Sequence, residues 1–404
     1  MPDAALAAGF DLAAATPEFV DDPFPTYRAL LEHAPVKRFA DGSVAVARYA
    51  DLVRIYRDTK TFSSDKQSEF GAKYGDSPLF EHHTTSLVFN DPPLHTRVRR
   101  IMVGALTPRA ISAMEPGLVR LIDDLLDGLS HECDLIPAYA AAIPVEVIGN
   151  LFDIPREERG PLRDWSLAIL GALEPVLTPT QHAAGNTAVR EFCDYLRDLI
   201  GRRRASPGDP DTDVLTRLMR GDRGDLLTEV QLLHNCIFIL NAGHETTTNL
   251  IGNALDLFLD HPDQMAALLA NPDLIDGAVE EVLRHQSSNQ LGNRITTVET
   301  EIGDLTLPPG TRIHLLMGAA NRDPAQFPNP DRFEIARTPN KHLAFAGGPH
   351  ICLGLTLARL EGRIAIQRFL DRYSGFCRTG PAVRTGRMRF RGAVSDHRCR
   401  SRQS

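Results

Sequence analysis

The chain has 404 residues, 43% hydrophobic and 24% charged, which is the composition of a folded globular protein with room for a core that encloses a cofactor. Its 44 basic and 52 acidic residues leave a net charge of -8 and no basic run stands out, which argues against nucleic-acid binding. No apolar run approaches the ~18 residues of a bilayer crossing. Asp3 and Asp11, with no Lys or Arg before Arg28, carry the wrong charge for a secretory signal, so a cytoplasmic protein without a membrane span is expected.

In chain order, Ser43 to Arg48 alternates as a strand, His82 and His83 read as loop residues, and Thr107-Pro108-Arg109 opens a helix. Two further helices, Pro161 to Leu177 and Thr180 to Arg203, meet at a turn at Thr178-Pro179, and residues 202–213 read as an exposed loop. The longest helix runs from Thr228, an N-cap with Gln231 three residues on, to His261, where Pro262 stops it. Arg294 to Ile302 reads as a strand, followed by a turn at 307–311 and a strand from Arg312 to Met317. The expected fold class is mainly α with small β-sheets, in one domain after an N-terminal extension of about 21 residues.

Two stretches depart from ordinary composition. The middle of the long helix reads Ala242-Gly243-His244-Glu245-Thr246-Thr247, placing glycine, acid and hydroxyls where a buried helix holds Leu and Ala. The second is the glycine-rich loop from Phe345 to Gly354, which carries Cys352 to the start of a helix with Leu353, Leu357, Leu360 and Ile364 on one face. There the helix dipole and unpaired N–H groups favour a thiolate, and a single anionic sulfur suits haem iron. The six cysteines lack the close pairs of a zinc site or a disulfide scaffold, and most are expected to be buried hydrophobes.

Phe345, Gly348, His350, Cys352 and Gly354 resemble, position by position, the haem-ligand signature of the cytochrome P450 family. The resemblance extends from about Asp22 onward. Ala242-Gly243-x-Glu245-Thr246 resembles the family's oxygen-activating motif, and Glu281-Val-Leu-Arg284 with Arg332 its charged cluster. The segment from Asp91 to Arg99 resembles the family's propionate-holding segment.

The resemblance implies a cytochrome P450 fold, with haem b (iron protoporphyrin IX) between the long helix and the cysteine-loop helix and Cys352 as the metal ligand. It implies propionate donors at His95, Arg99, Arg294 and His350, a proton relay from Glu245 to Thr246, and structural bracing by Glu281, Arg284 and Arg332. The chamber would be lined by residues about 67–88 including Val88, by Leu167 to Leu177, by Ile237, Leu240 and Asn241, and by Gln290 and Leu291. The implied oxidoreductase is a haem-thiolate monooxygenase. It inserts one atom of dioxygen into a small, mostly apolar organic substrate, with electrons from NAD(P)H through a separate ferredoxin reductase and ferredoxin. Arg97, Arg100, Lys341, Arg359 and Arg363 would form the cationic patch for that ferredoxin. Two readings stay open beside this one: a peroxide-using or isomerising haem-thiolate enzyme, and a non-catalytic haem sensor or carrier. The acid–alcohol pair Glu245-Thr246 favours the oxygenase.

Overall fold

The structure, a computed structural model, describes residues 2–130, 132–373, 375–380, 382–384, 388–389 and 391–395. Cys399 and most of the polar ending lie outside the described residues. The helices that bear on function are α1 (Tyr49–Arg57), α2 (Pro78–Thr85), α3 (Leu94–Ala105), α4 (Pro108–Asp127), α5 (Leu162–Gly171), α6 (Pro179–Ala205), α7 (Glu229–Asp260), α8 (Ile275–His285) and α9 (Leu355–Arg372). The strands are β1 (Val36–Arg38), β2 (Val44–Val46), β3 (Phe62–Ser63), β4 (Leu291–Thr296), β5 (Thr300–Ile302), β6 (Leu305–Leu307), β7 (Arg312–Leu316), β8 (Ala382–Arg384) and β9 (Ala393–Ser395). Contacts group the chain into two compact units: Met1–Ser63, Val119–Ala141 and Thr246–Ser404 form one, and Ser64–Leu118 and Ala142–Glu245 the other.

The first unit holds the sheets. The largest has the strand order β1-β2-β7-β4-β3, with β2 parallel to β7 and Arg294 of β4 opposite Ile313. The alternation expected over 43–48 is absent, because β2 is buried on both faces. Val44 and Val46 pack with Leu52 and Ile55, while Ala45 packs with Leu30 and Phe39. The single strand expected over 294–302 is two: at Thr297 the amide turns to the Thr61 carbonyl (2.9 Å), and β5 then pairs with β6. Ala7, Phe10, Leu12 and Phe19 are buried with Tyr27 and Phe39, so the N-terminal residues are part of this unit's core.

In the second unit, Thr178 caps α6 with a full capping box, as the Thr-Pro turn foretold. The preceding helix ends at Gly171, short of the expected Leu177. The carbonyls that would continue it are taken by side chains: the Tyr74 hydroxyl donates to the Ala172 carbonyl (2.7 Å), and Lys73 Nζ to those of Ala172 (2.9 Å) and Glu174 (2.7 Å). His82 and His83 lie on helix α2 and are buried against Phe70, Tyr74 and His234, which corrects their reading as loop residues. The loop expected at 202–213 starts only at Ser206, and its ends are tied by a buried Arg203–Asp213 ion pair.

Helix α7 begins as expected: Thr228 Oγ1 accepts from the Gln231 amide (3.2 Å), and the Gln231 side chain accepts from the Thr228 amide (3.2 Å). Its 32 residues span about 48 Å, and it passes from one unit to the other between Glu245 and Thr246.

Candidate active site

The cysteine loop is held by its own backbone. The Cys352 amide donates to the Phe345 carbonyl (3.0 Å) across a turn in which Ala346 (φ 57°) and Gly348 (φ 63°) are left-handed. A Cβ on Gly348 would lie 2.0 Å from the Tyr56 carbonyl oxygen. The packing of α1 against the loop therefore already requires this glycine, whatever lies on the loop's other side. Gly348→Ala is expected to cost about 2–3 kcal/mol through the left-handed φ and that clash, read as a lower Tm of the purified protein. Two residues beyond Cys352, Gly354 is the N-cap of α9 and makes no side-chain cap.

Cys352 is half-buried, whereas Cys193 and Cys236 lie in the core. Burial pushes the Cys193 thiol up to about 11 and the Cys236 thiol higher still. Both therefore stay protonated at neutral pH, which disfavours them as anionic ligands.

Along α7, Asn241, His244, Glu245 and Thr247 are buried, while Ala242 is exposed and Gly243 and Thr246 are partly so. Positions four apart share a face, so Ala242 and Thr246 mark an uncovered strip in the middle of a buried helix. On the covered side, Ser166 of α5 links the motif. Its hydroxyl donates to Asn241 Oδ1 (2.7 Å) and lies 2.9 Å from His244 Nδ1. Burial pushes His244 down to about 4, so the imidazole is neutral at pH 7.

The propionate candidates fall in both units. His95 and Arg99 stand one turn apart on α3, His95 buried and Arg99 half-buried. In the first unit, Arg294 on β4 is buried and its guanidinium lies 5.1 Å over the Tyr56 ring, while Nη1 donates to the Asn293 carbonyl (2.7 Å). Tyr56 also carries the carbonyl against Gly348 and packs along Gly347, so it joins Arg294 to the turn that holds His350 and Cys352. The sequence contained no sign of this role for Tyr56; it follows from the contacts of α1.

Among the expected chamber residues, Ile237, Leu240, Asn241, Gln290 and Leu291 are buried and Val88 is half-buried. The Gln290 amide donates to the Ser287 carbonyl (2.6 Å) and its oxygen fills the space at Gly318, so this side chain secures its own turn.

These residues fit a haem. The cysteine is on a partly open turn and not in the core, a buried guanidinium sits beside that turn, and the one small-residue strip of α7 left uncovered carries the hydroxyl of Thr246.

The charged cluster is complete but differs in one member. Arg284 uses all five donors: Nε and Nη2 on the two oxygens of Glu281 (2.7 and 2.8 Å), Nη1 on the carbonyls of Asn321 (2.9 Å) and Pro330 (2.8 Å), and Nη2 on that of Arg332 (3.1 Å). The second guanidinium on Glu281 belongs to Arg337, whose Nε lies 3.1 and 3.2 Å from its oxygens. Arg332 contributes only its main chain, and its side chain is exposed. The expected role of Arg332 therefore passes to Arg337.

The expected cationic patch is also reduced. Arg97 binds Asp225 (2.8 Å), Arg100 binds Asp222 (2.7 Å) and Asp225 (3.0 Å), and Arg359 binds both oxygens of Glu280 (2.6 and 2.8 Å). Lys341 is exposed.

Further along α9, Glu361 is buried and its Oε2 has no hydrogen-bond partner among the described residues. Burial pushes its carboxyl up to about 8. Below its ordinary value of 4.5 both folded and unfolded chains keep the proton, so nothing is contributed there. Between that value and about 8 only the unfolded chain releases it, and stability falls as pH rises. Glu361→Gln is thus expected to stabilise the protein at pH 8 by about 1–2 kcal/mol, the amide itself remaining imperfectly bonded. It should be near neutral at pH 4, and urea unfolding at the two pH values checks this.

Comparison with known proteins agrees with this geometry. The cytochrome P450 family profile matches residues 166–385. The biotin biosynthesis cytochrome P450 of Bacillus subtilis (strain 168) is 34% identical over 366 residues, covering 89% of this chain and 91% of that protein. The vitamin D(3) 25-hydroxylase of Pseudonocardia autotrophica is 37% identical over 361 residues, covering 88% and 87%. The crystal structure of CalO2 superposes with a TM-score of 0.90 at 31% identity, over 98% of this chain and 99% of that one. With its cysteine turn, charged cluster and long helix in the family's order, the chain belongs to the cytochrome P450 family, oxidoreductases that carry haem b.

Proposed function

We propose that the protein is a haem-thiolate monooxygenase that hydroxylates, or otherwise inserts one oxygen atom of dioxygen into, a small and mostly apolar organic substrate. Reducing equivalents come from NAD(P)H through a separate ferredoxin reductase and ferredoxin. The observation that carries this reading is the Cys352 turn, where the amide bond to Phe345 and the left-handed Gly348 present a thiol outside the core. The relatives named as a 25-hydroxylase and as a biotin-biosynthesis P450 support oxidation of small organic molecules.

Haem b, when bound, supplies an iron centre that activates dioxygen. Cys352 would hold that iron by its sulfur, while its amide is committed to the Phe345 carbonyl. Arg294, His350, His95 and Arg99 would each offer a charged or polar donor to a propionate. Thr246 Oγ1 holds a proton for delivery to dioxygen, and the buried carboxyl of Glu245 replenishes it. Ala242 and Gly243 keep the face beside Thr246 clear. Asn241, its amide fixed by Ser166, and the half-buried Val88 offer substrate contacts. Lys341 is an exposed cation available to an acidic ferredoxin.

Dithionite-reduced protein treated with carbon monoxide should show the red-displaced absorbance of sulfur-ligated iron. With surrogate ferredoxin and reductase, oxygen uptake should depend on substrate, and turnover that occurs with peroxide but never with dioxygen and these electron partners would refute the oxygenase reading. Thr246→Ala is expected to lower product formed per NADPH consumed by roughly 10-fold, measured with hydrogen peroxide release in the same assay.

A further inference from the structure

Beside the cysteine turn, one half-buried ion pair reaches the Phe345 ring. The Arg359 guanidinium, on α9, lies 4.7 Å over the Phe345 ring and grips both Glu280 oxygens on α8. Phe345 is the residue whose carbonyl receives the Cys352 amide. The same carboxylate lies 3.2 Å from His342 Nε2, and the His342 ring stands 5.8 Å from Phe345. Burial raises the Glu280 carboxyl, but the bonds from Arg359 and the proximity of His342 outweigh it and hold it near about 2. The Arg359 guanidinium is held charged chiefly by its hydrogen bonds to Glu280, with a smaller electrostatic contribution from Cys352. Three chain segments thus meet at Phe345, and two opposite full charges are fixed there in known order.

We propose that Glu280 and Arg359 form a charge clamp on Phe345 that sets the electron affinity of iron bound at Cys352, Arg359 raising the reduction potential and Glu280 opposing it. The inference rests on Cys352 as the iron's ligand. A cation near the sulfur draws off electron density and favours the reduced state, which carries one more negative charge, while a carboxylate does the reverse. Both act through a rigid, partly desolvated surround, where Coulomb interactions exceed those in water. Arg359 is therefore a positioning and tuning residue, and its charge is spent on the sulfur's side and not on a partner.

The test is spectroelectrochemical titration of the haem-loaded full-length protein at pH 8 and constant ionic strength, for R359Q, R359K, E280Q and the R359Q/E280Q double variant. The carbon monoxide spectrum and Tm of each are recorded alongside. R359Q should lower the midpoint potential and E280Q raise it, each moving the ferrous-to-ferric ratio at fixed potential by roughly 3- to 10-fold. R359K should stay near the wild type because it keeps the charge, and the double variant should return toward it. A merely structural clamp would move both single variants in the same direction. That result, or no movement in either, or an R359K shift as large as that of R359Q, overturns the proposal. A wild-type protein that lacks the sulfur-ligated carbon monoxide band would instead overturn the assignment of Cys352, and the clamp with it.

Discussion

Cys352→Ser is expected to abolish the red-displaced carbon monoxide band and to reduce monooxygenase turnover by at least ~10³-fold, while leaving the chain folded. Serine is a proton donor at every accessible pH, so it supplies no anionic sulfur and none of the electron density that thiolate ligation provides. The fold should survive because the half-buried Cys352 side chain is not among the core residues. The turn is also set by backbone: the bond from the residue-352 amide to Phe345 and the glycine at 348 are both retained. Far-UV circular dichroism and Tm should therefore stay close to wild type while the spectrum changes. A Cys352→Ser protein that kept the sulfur-type band would show that another thiol ligates the iron.

Glu281→Gln is expected to destabilise the protein by about 3–5 kcal/mol, the usual consequence of breaking a fully buried ion pair. Arg284 and Glu281 both have no exposed surface, and the carboxylate also receives Arg337, Asn340 and the Glu334 amide. Removing its charge leaves two buried guanidiniums facing a neutral amide. Arg337→Leu should cost a smaller part of this, about 1–3 kcal/mol, whereas Arg332→Leu should fall within about 0.5 kcal/mol of wild type. Urea unfolding of the four proteins measures the ranking. Equal effects at positions 332 and 337 would show that the buried cation is not the one that matters. Haem loss on gentle heating should follow the same order, since the cluster joins α8 to the segment before the cysteine turn through the Asn321 and Pro330 carbonyls.

The difference between Arg332 and Arg337 shows where sequence reasoning stopped. Both arginines flank the same short segment, and the one inside the FPNPDRF pattern was the natural candidate. Choosing between them needs the path of the chain from Asn329, which has a positive φ of 48°, back toward α8. The docking cations show the same limit. Arg97 and Arg100 look like free charges on an amphipathic helix, and only the hairpin at 222–225 brings the acids that neutralise them. Helix α5 ends early for a similar cause, since Lys73 and Tyr74, about a hundred residues away, occupy the carbonyls of Ala172 and Glu174 just past its end.

Features built from neighbours within a few residues were legible from the start. They include the Thr228 and Thr178 caps, the mainly helical class, the cysteine turn and its glycine, and the Glu281–Arg284 pair one turn apart. Each depends on interactions that close within a turn of chain, so residue type and spacing determine them. Only the tertiary structure decided which arginine completes the charged cluster, which cations keep an unneutralised charge, and that Tyr56 underlies both Arg294 and the cysteine turn. Those choices are made by buried polar groups finding partners far along the chain, and a charge in a low-dielectric interior takes whichever partner the packing brings to it.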